Sequence, residues 1–131
     1  MKGFHADIEK ETLSNEHFRK VLYTGRHMQL VLMTLKAGEA IGSEIHAEND
    51  QFFRFESGKG KCIIDENEYP VEDGSAIIVP AGARHNVINT GNEPLKMYTI
   101  YAPPHHKDGI TRATKKEAEE NEADFDGITT E

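Results

Sequence analysis

Apolar residues in the middle of the chain fall into short runs of strand length, separated by Gly, Pro, Asn and Asp. The runs are RKVLYT (19–24), MQLVLMTL (28–35), QFFRFES (51–57), KCIIDE (61–66), YPVE (69–72), SAIIVP (75–80), HNVINT (85–90) and LKMYTIYA (95–102). The separating residues adopt the backbone angles that tight turns require. Seven or eight strands with no helical segment between them predict an all-β fold, an antiparallel sandwich or barrel.

Both ends of the chain differ from this middle zone. Residues 1–17 form a polar N-terminal segment, residues 18–104 carry the predicted barrel, and residues 105–131 form a charged C-terminal tail. Thr114, followed three residues later by Glu117, has the spacing of a helix capping box. Because the tail has few large apolar residues, it predicts a short, solvated helix.

Composition limits the classes of partner. The 131 residues suffice for one domain with its own core, and the net charge of −8 argues against nucleic acid and anionic membranes as partners. No apolar run approaches the ~18 residues of a membrane span. Cys62 is the only cysteine. We therefore expect a buried thiol, no internal disulfide and a cytoplasmic location.

Two groups of residues have spacings that suggest a binding site. The first group is Gly38, five residues, Glu44, one residue, His46, four residues, Gln51, six residues and Gly58. The second is Gly74, five residues, Pro80, Ala81, Gly82, two residues, His85, three residues and Asn89. Together these spacings resemble the paired motifs of the cupin superfamily, whose second motif is matched at every defined position.

The resemblance implies a jelly-roll β-barrel, a homodimer, and a metal held by three histidines and a glutamate. Here Glu44 occupies the position of the first histidine, and Gln51 that of the glutamate. The segments DQFFRFESGKG (50–60) and YTIYAPPHH (98–106) look like those of small single-domain cupins described as mannose-6-phosphate isomerase-like. The sequence has no cluster of Arg and Lys of the kind that binds a phosphate group, so a sugar phosphate is not the expected substrate.

Strand periodicity supports convergence of the four candidate metal ligands, Glu44, His46, Gln51 and His85. Residues at i and i+2 of a strand share a face, so Glu44 and His46 point the same way. Two imidazoles with side-chain oxygens suit one divalent transition metal (Fe, Mn, Ni, Co or Zn) better than Ca or Mg. Glu44 and the two histidines also form a 2-His-1-carboxylate triad. Asp50 is an alternative to Gln51 for the fourth position.

Aromatic and histidine side chains near the motifs are further candidates for the same interior. Phe53 and Phe55 follow Gln51 at strand spacing and are expected to fill the barrel. Tyr98 and Tyr101 are candidate catalytic residues, but they are three residues apart and cannot both face inward on a regular strand. His105 and His106 are adjacent, so their side chains should point in opposite directions. A role in a loop near the barrel mouth is one interpretation, and solvent exposure is the favoured one.

These features favour a metal-dependent enzyme acting on a small polar or carbohydrate-like molecule, with isomerase, lyase or oxygenase-type chemistry. The alternative is a non-catalytic cupin that binds or senses a small molecule, and a weaker alternative is a purely structural barrel. An open coordination position would favour catalysis, and a closed or absent coordination sphere would favour binding.

Overall fold

The structure, a computed structural model, describes all 131 residues, Met1–Glu131, as ten strands and two short helices. The elements are α1 (Ile8–Ser14), β1 (Arg19–Thr24), β2 (Gln29–Leu35), β3 (Glu44–Ile45), β4 (Asp50–Ser57), β5 (Lys59–Ile64), β6 (Asn67–Glu72), β7 (Ala76–Val79), β8 (Arg84–Asn89), β9 (Leu95–Ala102), β10 (Thr111–Arg112) and α2 (Lys115–Glu120). All eight predicted runs form strands. Strands β3 and β10 have two residues each, which is too short for a periodic pattern to reveal.

The strands form two antiparallel sheets that enclose one core, in a jelly-roll arrangement. The six-stranded sheet has the order β10-β1-β2-β9-β4-β7, and the four-stranded sheet has the order β3-β8-β5-β6. The all-β prediction is confirmed. Neither helix exceeds seven residues, so no helix is long enough to cross a membrane.

Inward-facing residues of both sheets form the core. Phe53 and Phe55 are fully buried, with ring centroids 6.2 Å apart, as their spacing predicted. Burial of each such side chain contributes about 1.5–3 kcal/mol relative to exposure. Cys62 also lies in this cluster, and burial raises the pKa of its thiol to about 11. This burial confirms the prediction of a buried thiol.

Two motif residues have structural roles that explain their identity. Gly58 has a φ of +89°, and a Cβ there would lie 2.5 Å from the carbonyl oxygen of Pro94, so only glycine fits without rearrangement. Asn89 is buried and donates from Nδ2 to the carbonyls of Leu35 (3.0 Å) and Glu93 (2.8 Å). Gly58 thus fixes the β4–β5 turn, and Asn89 fixes the β8–β9 loop.

The N-terminal segment contains a helix that the sequence did not predict. Asp7 caps α1 by accepting from the Lys10 N–H, and the helix packs against the six-stranded sheet. Lys96 of β9 anchors the segment by donating to the Leu13 carbonyl and forming an ion pair with Glu16. The helix was missed because seven residues carry too little periodicity.

The C-terminal tail folds back onto the barrel. The predicted helix is confirmed as α2, where Thr114 Oγ1 accepts from the Glu117 N–H at 3.1 Å. The expected solvation holds for most of α2, but Ala118 is 2% exposed and belongs to the core, so the helix also packs on the barrel. Strand β10 extends the six-stranded sheet beside β1, and Asp124 forms a β-bridge with His106. The tail therefore covers part of one end of the barrel.

Candidate metal centre

Three of the four predicted ligand residues lie together at that end of the barrel. Strand β3 pairs with β8 so that Glu44 is directly opposite His85, and His46 follows two residues later. The backbone N–H of Gly82 donates to the His46 carbonyl at 2.9 Å, which joins the two sequence motifs. One ligand atom from each of Glu44, His46 and His85 lies within 4.8 Å of the others.

These distances are close to those of a metal site. Ligand atoms that share one ion at about 2.1 Å are at most about 4.2 Å apart, so side-chain shifts of at most several tenths of an ångström would bring the three atoms within that limit. Nε2 of His46 is 3.0 Å from Oε2 of Glu44 and has no hydrogen-bond partner of acceptable geometry. The rings of His46 and His85 are 5.1 Å apart. The donor set fits a transition metal.

His85 is oriented for ligation by its backbone neighbour. Its Nδ1 lies 3.2 Å from the carbonyl oxygen of Ala83, an acceptor, so this nitrogen carries the proton when the ring is neutral. The lone pair is then on Nε2. Burial lowers the pKa of His85, and the neighbouring His46 lowers it further. The ring is therefore held in the neutral form that binds metals.

Glu44 supplies the negative charge of the cluster. Burial raises the pKa of this carboxyl, but the neighbouring His46, Arg19 and His85 outweigh that effect and leave the pKa below its usual value. The side chain remains 35% exposed. Glu44 is therefore ionised at neutral pH without a metal.

Gln51 lies on the inner face of β4 and is 3% exposed. Its Nε2 donates to Thr99 Oγ1 at 3.0 Å, while its Oε1 is buried without a hydrogen-bond partner. A buried acceptor without a partner costs about 1–3 kcal/mol, and a bound ion would satisfy it. Asp50 does not fit the alternative role, because it is exposed and accepts from the Ala81 N–H at 2.9 Å.

Only one of the two candidate tyrosines faces inward, as expected. Tyr101 is buried on β9 opposite Gln51, and its hydroxyl lies 3.2 Å from Nε2 of His106. Burial raises the pKa of this phenol. Tyr98 lies on the outer face of the sheet, with its ring 6.2 Å from that of Phe52. Tyr98 is thereby removed from the candidate site.

The expectation that His105 and His106 are exposed is wrong. His105 is half-buried with its ring 4.3 Å from that of His46, and His106 is 7% exposed. The side chain of Gln29 fixes this segment. Its Oε1 accepts from the backbone N–H groups of both histidines, and its Nε2 donates to the backbone carbonyl of His106 at 2.7 Å. Burial lowers the pKa of both histidines, that of His106 to about 2. No sequence pattern marked Gln29 as their anchor.

A cavity of about 340 Å³ opens beside the cluster. Glu44, His46, His105 and His106 line it together with Arg19 of β1, and the tail contributes Glu122 and Asp124. This volume is near the lower end of the about 300–1,000 Å³ typical of small-molecule sites. Two of the three clustered side chains, Glu44 and His46, thus line a space that could hold a small molecule.

Comparison with known proteins gives the following matches. A family model described as a cupin domain matches residues 31–101. The chain is 49% identical to YrkC of Bacillus subtilis over 123 residues, covering 89% of this chain and 66% of YrkC. It is 42% identical to L612 of Acanthamoeba polyphaga mimivirus over 107 residues, covering 79% of this chain and 67% of L612. The chain thus spans about two thirds of the length of these two relatives.

A solved structure is similar over nearly the whole fold. The crystal structure of BH2720 from Bacillus halodurans aligns with a TM-score of 0.90 and 45% identity. The alignment covers 92% of this chain and 96% of BH2720. The similarity therefore extends beyond residues 31–101 into both terminal segments.

Proposed function

The chain belongs to the cupin family, and on that premise we propose that it is a metal-dependent enzyme acting on a small polar or carbohydrate-like molecule. The observation that carries the proposal is the convergence of Glu44, His46 and His85 within 4.8 Å, beside a cavity of about 340 Å³. One divalent transition metal (Fe, Mn, Ni, Co or Zn) is the ion that two imidazoles and a carboxylate would select.

In this proposal Glu44, His46 and His85 hold the ion, and Gln51 supplies the fourth ligand through Oε1. The bound metal would act as a Lewis acid on a carbonyl or hydroxyl group of the substrate. Thr99 orients the Gln51 amide, and Ala83 orients the His85 ring. Such supporting contacts fix the direction of each lone pair.

Proton transfer is assigned to side chains of this chain beside the ion. His105 lines the cavity, lies against His46 and has a pKa lowered by burial, so it is available as a neutral base. Tyr101 remains the phenol candidate, since it is buried beside Gln51 and contacts His106. Its raised pKa keeps the phenol protonated, which suits a fixed hydrogen-bond donor rather than a base.

Elemental analysis of protein purified without chelator tests the proposal directly. We expect one transition metal per chain, and we expect His85→Ala to lose most of it while circular dichroism and thermal unfolding still report a folded barrel. His27→Ala, at an exposed position outside the cluster, is the matched control. Unchanged metal content in His85→Ala would remove this residue from the ligand set, and no metal in the parent protein would refute the site.

The same preparation separates catalysis from simple binding. A metal with an exchangeable water, detected by water-proton relaxation on the Mn-loaded protein, would support an open position for substrate. A coordination sphere without exchangeable water would favour the non-catalytic binding or sensor cupin.

A further inference from the structure

Arg19 differs from Arg54 and Arg112, whose side chains have polar partners. Its side chain is half-buried at the cavity, forms no hydrogen bond or ion pair, and has its Nε atom buried without a partner. The Nε atom of Arg54 is also buried without a hydrogen bond, but it lies 3.3 Å from a carboxylate oxygen of Glu56, and Arg112 donates to the Asn121 carbonyl. Burial of a guanidinium donor without an acceptor is costly, and it is expected where a ligand supplies the acceptor.

The surroundings of Arg19 hold it beside the candidate metal ligands. It lines the cavity with Glu44, His46 and His105. Its Cζ lies 5.4 Å from the ring centroid of Phe18, which limits the movement of the guanidinium. Arg19 and Glu44 nevertheless form no ion pair within 4.0 Å, so the guanidinium is free for another anion.

We propose that Arg19 binds the carboxylate of a small substrate whose neighbouring hydroxyl or carbonyl oxygen reaches the metal. The guanidinium presents its N–H groups as a planar fork that matches a carboxylate in two parallel hydrogen bonds. This assignment rests on the proposed function, because the second point of attachment is the ion held by Glu44, His46 and His85. It narrows the substrate class to small hydroxy or keto acids.

Charge at the cavity rim favours a single anionic group. Glu122 and Asp124 also line this cavity and are exposed, whereas Arg19 is half-buried. Two carboxylates there repel a second negative charge on the ligand. A monocarboxylate is therefore favoured over inorganic phosphate or a phosphorylated sugar.

Calorimetric titration of the metal-loaded protein with glycolate, lactate and pyruvate tests the proposal. Glycolamide serves as the uncharged analogue of glycolate, and inorganic phosphate serves as the alternative oxyanion. The variants are Arg19→Gln, Arg19→Lys, and Arg26→Gln as an exposed control with the same change in net charge. Each titration is repeated after removal of the metal with chelator, and metal content is measured for every variant.

We expect at least one of the three acids to bind, and Arg19→Gln to weaken its binding roughly 10- to 100-fold. Arg19→Lys should retain part of the affinity, and Arg26→Gln should bind the acid as tightly as the parent protein does. The affinity for glycolamide should not change in Arg19→Gln. Equal affinity in Arg19→Gln, or no binding of any of the three acids, would overturn the proposal. Tighter binding of phosphate would overturn the monocarboxylate class.

The two proposals can fail separately. Suppose that the protein binds no metal even when metal is supplied, and that an acid still binds in a way that depends on Arg19. That result would support the anion site and refute the metal site. Full metal content with acid binding that does not depend on Arg19 would do the reverse.

Discussion

Replacement of His106 by glutamine should make the folding stability less dependent on pH, because it removes one group whose pKa differs between the folded and the unfolded chain. In the folded chain burial lowers the pKa of His106 from 6.5 to about 2, so the ring stays neutral in mildly acidic solution. In the unfolded chain the ring takes up a proton near pH 6.5. Below that pH the unfolded state binds more protons than the folded state, so stability falls as the pH falls.

The size of the effect follows from the two pKa values. One such group contributes about 1.4 kcal/mol per pH unit below pH 6.5, which gives about 2 kcal/mol between about pH 7.5 and 5. His85 and His105 act in the same direction because their pKa values are also lowered, chiefly by burial. The difference between the parent and His106→Gln isolates the single group.

Urea unfolding at several pH values between about 5 and 7.5 measures this difference. Chelator is present throughout, so that loss of metal at low pH does not contribute. We expect the stability of His106→Gln to fall by about 2 kcal/mol less than that of the parent, and His27→Gln, at an exposed site, to match the parent. Identical pH profiles for His106→Gln and the parent would refute the assignment of a buried neutral imidazole.

Two further predictions concern the fourth ligand and the predicted homodimer. Gln51→Glu should tighten metal binding by adding a charge, and it should destabilise the metal-free protein because a buried carboxylate without an ion is costly. Metal titration measures the first effect and unfolding with chelator the second. Weaker metal binding in this variant would remove Gln51 from the ligand set. Ile78 is 68% exposed on edge strand β7, in one cross-strand row with Phe52 and Ile100. Ile78→Asp should therefore convert a dimer to a monomer by light scattering, with Ile128→Asp, 65% exposed outside the strands, as control; a parent protein that is already monomeric would contradict the homodimer.

The strands were predictable because their apolar runs and turn residues are local features. The convergence of His85 with Glu44 was accessible only through the motif spacing, since the two residues meet through the β3–β8 pairing across 41 positions. His105 and His106 were misplaced because their position depends on Gln29, which lies on a strand more than 70 residues earlier. A short helix and a distant side-chain anchor leave no periodic pattern to detect.

Glu44 occupies a position where the family motif has a histidine, and Gln51 occupies the position of the motif's glutamate. This placement of the carboxylate has a physical consequence for the metal-free protein. The carboxylate stands at the 35% exposed position, where water and Arg19 stabilise its charge, and the neutral amide stands at the 3% exposed position beside Tyr101. Burying an amide costs far less than burying a carboxylate. The barrel can therefore remain folded without an ion, and the metal should be exchangeable rather than required for folding. Thermal unfolding with and without chelator checks this, and collapse of the fold on metal removal would contradict it.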